Sequence, residues 1–198
     1  MSAFTFPDFF EYPPYFTVQP TAETRSKQTE LWKSMIHRYC QHHRTFLLDL
    51  DDDDHPLFAN PRISRKLTRD ARRFFVDELV TGGGAAWLED DEVSQSARDG
   101  TGAGKGGAGD PRRRRCLVLW RTIPAWAELM YAWAMEYGYQ GQVVTVDEVR
   151  EGSTAGDALG FRGAPEELVL QAAMCLEGGG KAAVIRGQGG DDAGIKFF

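Results

Sequence analysis

Apolar residues recur along the chain in stripes that alternate with short unbroken runs. Over residues 24 to 44, Trp32, Met35, Ile36, Tyr39 and Cys40 return at three- and four-residue steps, which predicts an amphipathic helix. Phe46-Leu47-Leu48 then reads as a short strand. Thr68 is placed to cap a second helix carrying Phe74, Phe75, Leu79 and Val80, stopped by Gly82-Gly83-Gly84. Ala86-Trp87-Leu88 and Cys116 to Trp120 are strand-like.

The same pattern then returns. Pro124 is expected at the first position of a helix whose stripe is Trp126, Leu129, Met130, Trp133 and Tyr137. Val143 to Val146 reads as a strand. Pro165 opens a further helix with Leu168, Leu170, Ala172, Met174, Cys175 and Leu176, stopped by Gly178-Gly179-Gly180. Ala182 to Ile185 and Ile195 to Phe198 read as two last strands around a Gly/Asp turn. The offsets between the halves agree: 94 residues from Trp32 to Trp126, 97 from Phe46 to Val143, 96 from Gly82 to Gly178. Each half runs helix, strand, helix, glycine stop, two-stranded hairpin. The predicted fold is α+β, mainly helical: two tandem winged-helix domains, 21–121 and 122–198, with almost no linker and hence a fixed, rod-like arrangement.

Residues 1–20 stand apart. They hold seven aromatics (Phe4, Phe6, Phe9, Phe10, Tyr12, Tyr15, Phe16) and four prolines, with no Lys or Arg. Pro13-Pro14 favours an extended path, and so much apolar surface must lie on something. It either folds back on the first helix or meets an outside partner. Hot-spot residue types and a rigid proline pair, which docks at little ordering cost, favour the partner.

Composition narrows the chemistry. The chain has 198 residues, 42% hydrophobic and 26% charged, which excludes a wholly disordered protein. No window reaches the ~18 apolar residues of a membrane span, and no secretory leader is expected. Three widely spaced cysteines do not form a disulfide framework and fit a reducing compartment. The net charge is −6, yet residues 94–115 carry six positive and two negative groups. That stretch, with six glycines between 100 and 109, reads as a flexible Gly/Arg-rich insertion in the first wing.

Catalytic signatures are weak. Gly102-Ala103-Gly104-Lys105-Gly106-Gly107 matches a dinucleotide fingerprint by letter but lacks the strand-to-helix turn that makes one, and Gly106 stands where a P-loop needs Ser or Thr. His37, Cys40 and His43 have no second ligand pair for zinc. Asp51 to Asp54 lacks the spacing of a calcium loop and reads as a solvated acidic loop. No activated nucleophile is apparent. The expectation is a protein without catalytic activity, metal or cofactor. The rival function is duplex binding through Arg62, Arg65, Lys66, Arg69, Arg72 and Arg73 at the start of the first recognition-type helix. Its counterpart in the second half carries Glu166, Glu167 and Glu177 and would repel phosphate.

One further set of residues is specific. Tyr12-Pro13-Pro14-Tyr15-Phe16-Thr17-Val18-Gln19-Pro20, Thr24 to Gln28, Pro56-Leu57-Phe58, Arg65-Lys66-Leu67, Trp87-Leu88, Trp120-Arg121 and Gly194-Ile195-Lys196-Phe197-Phe198 occur in this order. Together they resemble the vacuolar protein sorting-associated protein 25 family, the small subunit of the endosomal sorting complex ESCRT-II. The resemblance implies a tandem winged-helix adaptor that sorts ubiquitinated cargo into multivesicular bodies. It implies a cytoplasmic protein recruited indirectly to the endosomal membrane. Two copies would join vacuolar protein sorting-associated proteins 22 and 36 in a Y-shaped assembly. The docking role falls on Pro7, Phe10, Tyr12, Pro13, Pro14, Tyr15 and Phe16. The second winged helix would bind charged multivesicular body protein 6 of ESCRT-III and nucleate its polymer. The sequence departs from the family in the length and basic charge of 94–115, and in Tyr12 and Tyr15 where Phe is common.

Overall fold

The computed structural model describes residues 3–88, 114–151, 160–186 and 193–198. The chain divides into two compact units, Met1–Trp120 and Arg121–Phe198.

In the first unit, helix α1 (Ala22–His43) buries Trp32, Met35, Ile36, Tyr39 and Cys40 along the stripe read from the sequence. It ends where Arg44 turns left-handed, at φ 52°. Strand β1 (Leu47–Asp49) follows. A two-residue ladder, β2 (Ala59–Asn60) and β3 (Arg65–Lys66), closes a small hairpin over the turn Pro61–Ile63. Periodicity could not reveal strands of two residues. Helix α2 (Arg69–Thr81) starts at Thr68, whose hydroxyl accepts from the Ala71 N–H at 3.3 Å. It stops at Gly82 and Gly83, where the chain needs φ +72°. The wing strands are β4 (Ala85–Trp87) and β5 (Arg115–Val118), and the sheet order is β1-β5-β4, all antiparallel.

The second unit repeats this plan. Helix α3 (Ile123–Glu136) is capped by Thr122, whose hydroxyl accepts from the Ala125 N–H. Pro124 therefore sits second in the helix, not first. Strand β6 (Val143–Thr145) leads into a short helix α4 (Val146–Glu151). Helix α5 (Glu166–Gly178), β7 (Ala182–Arg186) and β8 (Ala193–Phe197) complete the unit, with sheet order β6-β8-β7. In both sheets the second wing strand lies between the first wing strand and the strand that follows the first helix, as two winged helices in tandem require. Helix α4 was not foreseen, although its signal is in the sequence. Thr145 and Glu148 form a reciprocal capping box: the Glu148 N–H donates to the Thr145 hydroxyl at 3.1 Å, and the Thr145 N–H donates to the Glu148 carboxylate at 2.7 Å.

The first-unit core is aromatic. Trp32 is fully buried and stacks on Phe75 at 5.4 Å. The second core gathers Trp126, Met130, Trp133, Phe161, Leu168, Ile195 and Phe197.

The N-terminal segment is extended at Pro7, Tyr12 and Thr17, but not throughout. It forms two 3-10 turns, Asp8–Glu11 and Pro13–Phe16. Proline presets φ near the helical value, and three phenylalanines of the segment find a cavity wall in Trp32. The insertion expected at 94–115 falls outside the described residues up to 113, and so does the glycine fingerprint. Its last two arginines belong to the sheet region: Arg115 begins β5, and Arg114 pairs with Asp49.

Candidate docking site

The N-terminal segment is held by aromatic packing and by buried polar bonds. Phe9, Phe10 and Phe16 surround Trp32, with ring centroids at 5.5, 6.3 and 5.7 Å. Edge contacts of this kind add roughly 0.5–1.5 kcal/mol each to the area they bury. Helix α1 then satisfies the backbone of the turns. The Trp32 indole N–H donates to the Tyr15 carbonyl at 3.0 Å. The Gln28 amide donates to the carbonyls of Tyr15 and Thr17, both at 2.9 Å, and accepts from the Gln19 N–H at 3.1 Å. From the hairpin, the Asn60 amide donates to the Phe10 carbonyl at 2.7 Å. Outside these, Arg62 pairs with Glu11 at 3.1 Å.

This arrangement sorts the expected docking residues into two sets. Phe10 and Phe16 are 4% and 3% exposed. They face this chain's own core, because Trp32 and the Asn60 bond draw them inward, and they present no surface to a partner. Phe9 joins them. Tyr12, Pro13 and Pro14 are exposed, Tyr12 at 59%, while Pro7 and Tyr15 are half-buried. The segment folds back on the first helix through its phenylalanines, while Tyr12, Pro13 and Pro14 stay exposed.

Most cations of the basic stretch stand in ion pairs with nearby carboxylates. Arg69 pairs with Asp51, and Arg72 pairs with Asp53. Arg72 also donates to the Asp52 carbonyl at 2.8 Å and is 1% exposed. Lys66 lies 3.8 Å from Asp53, Arg73 lies 3.7 Å from Asp77, and Arg62 is held by Glu11. The loop Asp51 to Asp54 is therefore the counter-charge of helix α2, not merely a solvated loop. Arg114 adds a two-pronged bond to Asp49, at 3.0 and 2.7 Å. The Arg114 hydrogen bond holds the Asp49 carboxyl below its ordinary range, and the Arg72 hydrogen bond does the same for Asp53. Arg65 is exposed on β3.

Among the described residues, no group of three or more His, Cys, Asp or Glu is arranged to hold a metal. His37 is committed elsewhere, its Nε2 2.9 Å from the Gly84 carbonyl. His55 packs edge-on to Tyr39, and burial lowers its pKa. No helix of the described residues is long and apolar enough to cross a membrane. The second unit exposes Tyr137, Val143, Met174, Ile185 and Phe198. The acidic Glu177 of α5 accepts the Val184 N–H at 3.0 Å and so caps one donor of strand β7, which lies at the edge of its sheet.

The family model for ESCRT-II complex subunits matches residues 9–162, from Phe9 of the aromatic cradle to beyond helix α4 of the second unit. The chain belongs to the ESCRT-II complex subunit family. It is 36% identical to vacuolar protein sorting-associated protein 25 of Arabidopsis thaliana, over all of this chain and 97% of that one. It is 31% identical to vacuolar protein-sorting-associated protein 25 of Danio rerio, over 99% of each. Among solved structures, the ESCRT-II endosomal trafficking complex contains a chain that superposes with TM-score 0.77 at 22% identity, covering 96% of this chain and 98% of that one. A chain in the crystal structure described as endosomal complex ESCRT-II (VPS22/VPS25/VPS36) superposes with TM-score 0.75 at 20% identity, covering 97% and 98%. These superpositions establish the tandem winged-helix fold.

Proposed function

We propose that this chain is a non-catalytic adaptor of ESCRT-II that works in endosomal sorting of ubiquitinated membrane cargo into multivesicular bodies. The observation that carries the reading is the Tyr12-Pro13-Pro14 edge, exposed on a segment whose other side is bolted into the core by Phe9, Phe10 and Phe16. The docking residues are Tyr12, Pro13, Pro14 and Tyr15, with Pro7 at the margin. The edge is already ordered in the free chain, so its binding loses little conformational entropy. Its partners are relatives of vacuolar protein sorting-associated proteins 22 and 36, the larger subunits named with the structural relatives. Two copies of this chain join one core. The second unit then recruits charged multivesicular body protein 6 of ESCRT-III. Two such units at fixed spacing raise the effective concentration of the growing polymer. The protein resides in the cytoplasm and reaches the endosomal membrane through the complex.

The ion-paired state of Arg69 and Arg72 opposes the duplex-binding alternative, since each phosphate contact would first have to displace an aspartate.

The test uses point variants, because deleting 1–20 would also remove core phenylalanines. Tyr12→Ala with Pro13→Ala and Pro14→Ala, in the full-length chain, should fold normally by circular dichroism yet fail to co-purify with the two larger subunits. Undiminished co-purification would place the contact elsewhere.

A further inference from the structure

The hairpin β2–β3 carries a feature that docking alone does not use. Its turn reads Arg62-Ile63-Ser64-Arg65-Lys66. Ser64 is exposed at the tip, in the left-handed region at φ 52°. Among the described residues its hydroxyl makes no hydrogen bond; only its backbone N–H is engaged, with the Pro61 carbonyl at 3.2 Å. A free serine hydroxyl on a protruding turn, with arginine two residues before it and Arg-Lys directly after, has the features that basophilic protein kinases recognise. The ladder beneath is only two residues deep (Ala59↔Lys66, Asn60↔Arg65), which leaves the turn at the end of a short element.

We propose that Ser64 is a phosphorylation site that weakens docking of the neighbouring N-terminal edge; the consequence for docking rests on the function proposed above. In the transfer, Ser64 Oγ forms a bond to the γ-phosphorus of ATP. The bond from that phosphorus to the β,γ-bridging oxygen breaks, and ADP leaves with its electron pair. The hydroxyl proton passes to the catalytic base of the kinase.

The geometry gives the modification a consequence. Strand β3, which begins at the residue after Ser64, packs against the turn Pro13–Phe16. Arg62, two residues before, is the ion partner of Glu11 in the preceding turn. A phosphoserine brings about −1.5 to −2 charge and three acceptor oxygens to this spot. It draws the guanidinium of Arg62 and that of Arg65, and Glu11 loses its partner. A hydrated dianion then borders an apolar edge that must shed water to dock, which is the disruptive case for phosphorylation. The buried Asn60–Phe10 bond and the Trp32 cradle remain, so the domain stays folded while its docking edge is poisoned by charge.

The experiment treats the full-length chain with magnesium-ATP and a kinase that prefers arginine two residues before its acceptor. Fragmentation mass spectrometry should map one phosphoryl group to Ser64, absent from Ser64→Ala and slowed in Arg62→Gln. Binding to the two larger ESCRT-II subunits should then be roughly tenfold weaker for the phosphorylated chain, and unchanged by kinase treatment for Ser64→Ala. Phosphoryl groups found only elsewhere, or phosphorylated Ser64 that docks as tightly as before, would overturn the proposal. If the untreated chain does not bind those subunits at all, the docking reading fails and takes the predicted weakening with it. The fragment map then decides the acceptor assignment independently.

Discussion

Asn60 and Phe10, fifty residues apart, are joined by a 2.7 Å bond from the asparagine amide to the phenylalanine carbonyl, and Asn60 is 3% exposed. The same side chain accepts from the Arg62 N–H at 3.0 Å and so shapes its own hairpin. One buried amide thus fixes both the turn that carries Ser64 and the turn that precedes Tyr12. Asn60→Ala strands the Phe10 carbonyl away from water. Equilibrium urea unfolding should show a loss of about 1–3 kcal/mol, and limited proteolysis should cut the N-terminal segment sooner. An unchanged midpoint would mean that the bond contributes nothing.

The glycines after α2 differ in what they tolerate. A Cβ at Gly84 would stand 2.7 Å from two atoms of the His37 ring and 3.0 Å from Leu79 Cδ1. His37 would have to leave its bond to the Gly84 carbonyl. At Gly83 a Cβ meets nothing within 4 Å, and only the left-handed backbone resists it. Gly84→Ala should therefore cost about 1–3 kcal/mol and Gly83→Ala only about 1 kcal/mol, both read from thermal or urea unfolding. The reverse order would contradict the packing.

Arg72 links the aspartate loop to α2, and its removal is expected to be milder than the loss of its partner. In Arg72→Met the thioether fills the arginine's volume, and the exposed Asp53 returns to water. In Asp53→Asn the buried guanidinium keeps its charge but loses its counter-charge. Asp53→Asn should thus unfold at lower urea than Arg72→Met.

The same pair sets a pH dependence. The Arg72 bond lowers the folded pKa of Asp53. Its stabilisation is complete above the ordinary carboxylate value of ~3.9 and is lost as pH falls through the folded value. Carbon-detected NMR titration should place the Asp53 carboxyl below that ordinary value in the parent chain and near it in Arg72→Met. An equal titration in the two chains would dissolve the pair.

Cysteine reactivity should be single-site. Burial raises the Cys40 thiol far above its ordinary range and pushes Cys116 up to about 12, whereas Cys175 is exposed. The thiolate is the reactive form. A maleimide at neutral pH should label Cys175 alone in the folded protein and all three cysteines in denaturant. Labelling of Cys40 or Cys116 without denaturant would mean that the first core opens.

The helices α1, α2, α3 and α5 were readable because each carries a long apolar stripe, and α2, α3 and α5 add a terminal signal such as Thr68, Pro124 or a glycine stop; both are local physics. The tandem winged-helix class followed from the repetition of those stripes, and the family from the order of short motifs between Tyr12 and Phe198. Helix α4 was legible in principle through Thr145 and Glu148, but six residues carry too little periodicity to stand out. What composition could not reveal was direction. Whether Phe10 and Phe16 face outward or inward depends on Trp32 and Asn60, which approach only after the chain has folded. Whether Arg69 and Arg72 are free depends on Asp51 and Asp53, nearly twenty residues earlier. Side-chain type and spacing are local and can be read along the chain; pairing and burial are non-local, and only the packed chain assigns each aromatic its side and each charge its partner.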